Sequence, residues 1–290
     1  MIKAIVVDMD GTLLDDKNSI SEKTVSVIKK FQENGGFFAV NTGRSYLSTV
    51  PILEKAGIKC DCLCLSGAAI YSEDGRCILN DTMKESEIQA VRELEKKYGL
   101  FVNYITTDGV YTEASYEMAK AHYIREIHTL AKMKNREVDV DEELKRYQWL
   151  LNMVHFESDI ESVLENGTLV YKMTVMSMDD EILKTAKETF KEYPSLTAAY
   201  TFPTNFEVNA SRVDKGLATI EYICYKGLFP EEVMVIGDSE NDIPMFKMSF
   251  AKKIAMGNAT DEIKKMSTDI TTSNLEDGVA YAIQKWGLKE

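Results

Sequence analysis

The stretch Ile2-Lys3-Ala4-Ile5-Val6-Val7-Asp8-Met9-Asp10-Gly11-Thr12-Leu13 decides how the chain is read. Ala4 to Val7 is a short apolar run rich in β-branched residues, the pattern of a buried strand in a parallel sheet. That strand ends on an acid, takes one step and meets a second acid followed by Gly11. Residues two apart in an extended chain point the same way, about 6.5–7 Å apart. Asp8 and Asp10 are therefore expected to project together from the carboxyl end of the strand, where open α/β sheets place their ligands. Gly11 then lets the chain turn without a side chain in the way. Two carboxylates so placed repel each other, and a divalent cation relieves the repulsion. A plain Asp-Gly turn would account for a bare D-x-D. The longer D-x-D-G-T-L after a buried strand favours the cation site.

The bulk properties narrow the field. A chain of 290 residues can hold one large core or two domains. A net charge of −13 argues against nucleic acid or an anionic membrane as the main partner. It also means that a site for an anionic substrate needs local positive charge or a metal. The apolar start is too short for a signal peptide and no stretch approaches a membrane span, so a cytoplasmic location is expected. Cys60, Cys62 and Cys64 alternate along one strand-like segment; with no second Cys or His group near them in sequence to complete a metal cluster, they read as small buried hydrophobes in a reducing compartment.

Outward from the first strand, Ser19-Ile20-Ser21-Glu22 predicts a helix cap at Ser19, with Glu22 closing a capping box. Val25, Ile28 and Phe31 follow at helical spacing, and Gly35-Gly36 ends the helix. Phe37 to Val40 is a second apolar strand, closing on Asn41-Thr42-Gly43-Arg44. A right-handed βαβ unit makes it parallel to the first and brings Thr42 to the same sheet edge as Asp8. A threonine hydroxyl, a glycine amide and an arginine are good donors for a phosphoryl group. A helix from Leu47 to Lys55 and a strand from Cys62 to Leu65 come next, ahead of Ser66-Gly67-Ala68.

From about Met83 the texture changes. An amphipathic helix (Glu85 to Tyr98), a hairpin around Thr107-Asp108-Gly109, a long helix (Tyr116 to Lys132) and a charged stretch through Lys145 precede further strands and a helix. Hairpins with helices on one side predict an inserted α+β domain over residues 83–211, between core segments 1–82 and 212–290. All three histidines, His122, His128 and His155, fall in this insert, away from the core chemistry.

The parallel pattern resumes at Val213-Asp214-Lys215-Gly216, with Lys215 opening a helix whose amino end favours anions. The strand Val233 to Ile236 runs into Gly237-Asp238-Ser239-Glu240-Asn241-Asp242, an acid just past a buried strand with Asn and Asp within one turn. An acidic helix start has the same composition. Beside D-x-D-G-T-L upstream, it reads as the other half of a metal site. A closing helix is expected from Val279 to Trp286.

Taken in order, these segments resemble the four motifs of the haloacid dehalogenase superfamily, and the large insert resembles that of its Cof-type branch. Ser66 departs from the family's Asn-Gly-Ala segment and receives no role. The resemblance implies a Rossmann-like parallel core of α/β class with an α+β cap, and a phosphatase of small phosphorylated metabolites, sugar phosphates prominent among them. It implies that Asp8 attacks phosphorus and that Asp10 serves as general acid and base. Mg2+ would lie on the carboxylates of Asp8 and Asp238 and the backbone carbonyl of Asp10. Asp242 would orient Lys215 or a metal-bound water, and Thr42, Gly43, Arg44, Lys215 and Asn241 would hold the phosphoryl oxygens. A phosphomutase with the same core, and a receiver-like phospho-switch, remain as alternatives.

Overall fold

The computed structural model describes residues 1–133 and 135–288. The chain divides into two compact units, one built from Met1–Asp81 together with the residues from Val213 onward, the other from Thr82–Arg212.

Among the described residues of the first unit, eight strands form one sheet. Its order is Asp269–Ile270, Lys252–Ala255, Val233–Gly237, Ala4–Val7, Phe37–Asn41, Asp61–Cys64, Ala69–Tyr71 and Cys77–Asn80. The first six run parallel and the last two turn back antiparallel. This is the expected α/β architecture. Ala4–Val7 lies at its centre, fully buried, and pairs with Phe37–Val40 on one side and Val233–Ile236 on the other. Such a strand is apolar on both faces because helices cover both. The register puts Val7 level with Val40 and Ile236, so the residues after all three strands leave the sheet at one edge.

Helix Glu22–Glu33 is capped by Ser21, whose side chain accepts from the Thr24 amide, so the helix begins two residues later than a Ser19 cap implies. Ser19 is taken instead into a loop closed by the Asp15 carboxylate. The closing helix runs as Gly278–Ala282 and then widens into a π-helical turn, Ile283–Gly287.

Among the described residues of the inserted unit, six strands form a mostly antiparallel sheet in the order Leu196–Phe202, Asn205–Ala210, Val170–Met176, Phe101–Thr106, Val110–Tyr111, Val154–His155. The charged stretch through Lys145 runs into a helix, Val140–Asn152, capped by Asp139 on the amides of Asp141 and Glu142. Arg212 ties the two ends of the unit together, donating to the Thr82 carbonyl at 2.6 Å and to Glu87 at 2.7 Å. One face of the sheet packs on helices Glu85–Tyr98 and Asp180–Thr189 through Val91, Leu94, Val102, Tyr104, Val175, Leu183 and Phe206.

Within that core Glu95 accepts the Tyr104 hydroxyl at 2.5 Å. Burial raises its carboxyl from the usual 4.5 to about 7, helped by nearby Glu113 and opposed by the Tyr104 hydrogen bond and Arg92. A carboxyl with a higher pKa folded than unfolded holds its proton more tightly in the native state. Its contribution is complete below about 4.5 and is lost as pH rises through about 7. Glu95→Gln should therefore change stability little at pH 5 and raise it by roughly 3 kcal/mol at pH 8. Urea unfolding at the two pH values reads the difference, and an equal effect at both would refute it.

Candidate active site

The site grows from the shared edge of the parallel sheet. Asp8 follows the central strand and is buried, with its amide donating to the Ile236 carbonyl at 3.0 Å. Lys215, the first residue of helix Lys215–Tyr225, is fully buried and reaches back to that edge. Its Nζ donates to Asp8 Oδ1 at 2.6 Å, Asp242 Oδ1 at 2.7 Å and Asn241 Oδ1 at 3.3 Å. The lysine is placed by its own backbone: Asn41, at the end of the second strand, donates from Nδ2 to the Lys215 carbonyl at 2.8 Å. Asp242 Oδ2 accepts the amides of Asp238 and Ser239 at 2.8 and 3.1 Å, so both of its oxygens are engaged. Gly237 is needed beside it, since a Cβ there would lie 2.6 Å from Asp242 Oδ2.

Asp8, Asp238 and Asp242 can each bring one carboxylate oxygen within 4.8 Å of the others. Asp238 is steadied by Thr12, whose hydroxyl donates to Oδ1 at 2.8 Å. Gly11 turns at φ +80°, and a Cβ there would meet Asp238 Oδ2 at 2.5 Å. Burial, then the charges of Asp242 and Asp238, push the Asp8 carboxyl well above its ordinary range against the pull of Lys215. Burial and Asp242 likewise raise Asp238 to about 6. Burial alone would lower the Lys215 ammonium, but Asp242 and Asp8 overcome it and hold the lysine firmly protonated. Three buried or half-buried acids thus share one close cation. The described hydrogen bonds take one oxygen each of Asp8 and Asp238, leaving carboxylate oxygens for a hard divalent ion. The donor set fits Mg2+.

The strand ends at Val7, and the Asp10 carboxylate, 54 % exposed, is gripped by Arg44 through Nε at 2.8 Å and Nη2 at 2.5 Å. The acids gathered with Asp8 come from Asp238 and Asp242, more than two hundred residues along the chain. Thr42 is fully buried at the end of the second strand, and its Oγ1 accepts the Arg44 amide at 3.1 Å. Its carbonyl accepts the amide of Ser66, which stands with Leu65 in left-handed backbone at φ 59° and 56°. The segment from Thr42 to Arg44, including Gly43, is thereby pinned to the loop after the third strand. Sequence reasoning missed Thr12, Asn18, Asn41 and Asn258. Only Thr12, inside D-x-D-G-T-L, carried a local signal; Asn258 donates to the Gly11 carbonyl at 2.8 Å across the sheet edge.

A family model described as haloacid dehalogenase-like hydrolase matches residues 5–283. A 5-amino-6-(5-phospho-D-ribitylamino)uracil phosphatase of Bacillus subtilis is 29 % identical, over 98 % of this chain and 98 % of its own. A second phosphatase of that name from the same organism is 28 % identical, over 99 % of this chain and 96 % of its own. Among solved structures, a haloacid dehalogenase-like hydrolase from B. subtilis superposes with a TM-score of 0.84 at 24 % identity, covering 98 % of this chain and 100 % of that one.

Proposed function

The chain belongs to the haloacid dehalogenase-like hydrolase family, and on that footing we propose that it is a Mg2+-dependent phosphatase of small phosphorylated metabolites, acting through a phosphoryl group carried on Asp8. The observation that carries this reading is the buried Lys215, which bridges Asp8 and Asp242 at 2.6 and 2.7 Å beside Asp238. A lysine so held fixes the Asp8 carboxylate and offers a fixed positive charge to phosphoryl oxygens.

Asp8 attacks phosphorus in line, the ester P–O bond breaks, and Asp10 gives its proton to the departing oxygen. Asp10 then takes a proton from water as the water oxygen bonds to phosphorus and the Asp8–phosphorus bond breaks. Thr42, Gly43, Lys215 and Asn241 hold the phosphoryl oxygens, and Asp242 keeps Lys215 aligned. The Asp8 and Asp238 carboxylates and the Asp10 backbone carbonyl would hold Mg2+, which when bound would neutralise charge on the phosphoryl group.

The inserted unit, proposed as the cap domain, would select the remainder of the substrate. The face of its sheet opposite the apolar core carries Lys172 and Glu207, paired at 2.6 Å, with Asn209 opposite Lys172 in register. Asn103, opposite Thr174 on the same face, and Asn209 each hold a side-chain oxygen without a partner among the described residues. Such donors and acceptors suit a hydroxyl-rich, sugar-like group, in keeping with the phosphoribityl substrates in the names of the two B. subtilis relatives.

A phosphate-release screen over phosphorylated metabolites tests the reading. Release should stop in excess chelator and return with Mg2+. The parental rate in chelator would remove the metal assignment, and isomerised product without free phosphate would make the chain a mutase.

A further inference from the structure

We infer that Arg44 is the positioning residue for the Asp10 carboxylate, and that Asn18 holds Arg44 to that task. The inference rests on the phosphatase reading above. It departs from the expectation that Arg44 serves as a phosphate ligand.

The guanidinium meets Asp10 two-pronged, Nε to Oδ2 at 2.8 Å and Nη2 to Oδ1 at 2.5 Å. A fork of this kind fixes the plane of a carboxylate as well as its distance, which a point charge does not. Asp10 gains from such a partner, because its side chain is half exposed on a turn beyond the end of the strand. The Asp10 carboxylate is also the first of the influences that raise the Arg44 pKa.

Arg44 is in turn held at both ends. Its amide donates to Thr42 Oγ1 at 3.1 Å and its carbonyl accepts the Leu65 amide at 2.9 Å. Beyond Asp10, Nη2 also donates to Asn18 Oδ1 at 3.0 Å. Asn18 has φ 55°, a left-handed conformation that asparagine tolerates better than most residues. The loop around it is closed on itself: Asp15 Oδ1 accepts the amides of Lys17 and Ser19, each at 2.8 Å, and the Asn18 amide donates to the Asp15 carbonyl at 3.0 Å. A rigid turn just downstream of the D-x-D-G-T-L segment thus presents one oxygen to the arginine that aims the acid. With Nε and Nη2 committed in this way, a phosphoryl oxygen would have to compete for them.

Phenyl phosphate and p-nitrophenyl phosphate are nearly the same shape, but the phenolate is the poorer leaving group and depends more on a well-placed acid. In Arg44→Ala, kcat/KM for phenyl phosphate should fall about tenfold further than for p-nitrophenyl phosphate, within the range of a misplaced general acid. Inhibition by inorganic phosphate should be unchanged. Arg44→Lys should recover little of the difference, because it restores charge without the fork. Asn18→Ala, at an exposed loop position, should show the same split at about threefold, and it serves if Arg44→Ala does not fold. Equal losses on both esters, with weaker phosphate inhibition, would make Arg44 a phosphate ligand and overturn the inference while leaving the phosphatase reading intact. An Asn18→Ala protein identical to the parent would remove Asn18 from it. A parent inactive on both esters would overturn both readings.

Discussion

Asp10→Asn protein mixed with p-nitrophenyl phosphate should acquire one phosphoryl group on Asp8 and keep it. The p-nitrophenolate leaves without needing a proton, so the first half-reaction is expected to slow only modestly. Water is a poor nucleophile, and loss of its base should slow the second half-reaction on the order of 10²–10⁴-fold. The substitution keeps the backbone carbonyl of residue 10, so metal binding is not the step disturbed. Intact mass after rapid acid quench shows the added group, and peptide mapping locates it. An unmodified variant that turns over at the parental rate would remove Asp10 from the mechanism. A parental protein that retains its own phosphoryl group for many minutes would point to a switch.

Lys215→Met should damage both activity and stability. The lysine is fully buried between Asp8 and Asp242, whose side chains are 4 % and 0 % exposed. Deleting one partner of a buried pair leaves uncompensated charge and typically costs about 3–5 kcal/mol. Denaturant unfolding in chelator should show a loss of that order, and phosphate release should vanish. Added Mg2+ should recover part of the stability, because the ion would bring positive charge to Asp8 from the Asp238 side. A variant as stable as the parent in chelator would mean that Asp8 and Asp242 are not both ionised in the metal-free protein.

The parts of the site that follow a buried strand were legible in the sequence. Asp8, Thr42 and Asp238 each come just after an apolar run, and parallel strands joined by right-handed crossovers deliver such residues to one edge. The pairing of Arg44 with Asp10 was not legible, because both lie in turns whose geometry depends on Gly11 and on the left-handed backbone at Leu65 and Ser66. Asp8 and Asp10 both lie past the strand, which stops at Val7, so their spacing of two does not by itself set where the side chains point. The helix Val140–Asn152 did carry a signal, with Val140, Leu144, Tyr147 and Leu151 spaced three to four apart among charges that obscured it. The antiparallel strands Ala69–Tyr71 and Cys77–Asn80 are too short for any period to show.

The central position of Ala4–Val7 has a consequence for how the chain is made. One edge of that strand is covered as soon as Phe37–Val40 is available, but the other waits for Val233–Ile236. At ribosomal speeds of about 5–20 residues per second, the second edge stays open for roughly 10–45 s. The inserted unit, continuous from Thr82 to Arg212 and with an apolar core of its own, emerges whole in that interval. A nascent chain stalled before Val233 would therefore pair a finished insert with an unfinished sheet, whose open apolar edge is the surface that a chaperone must shield.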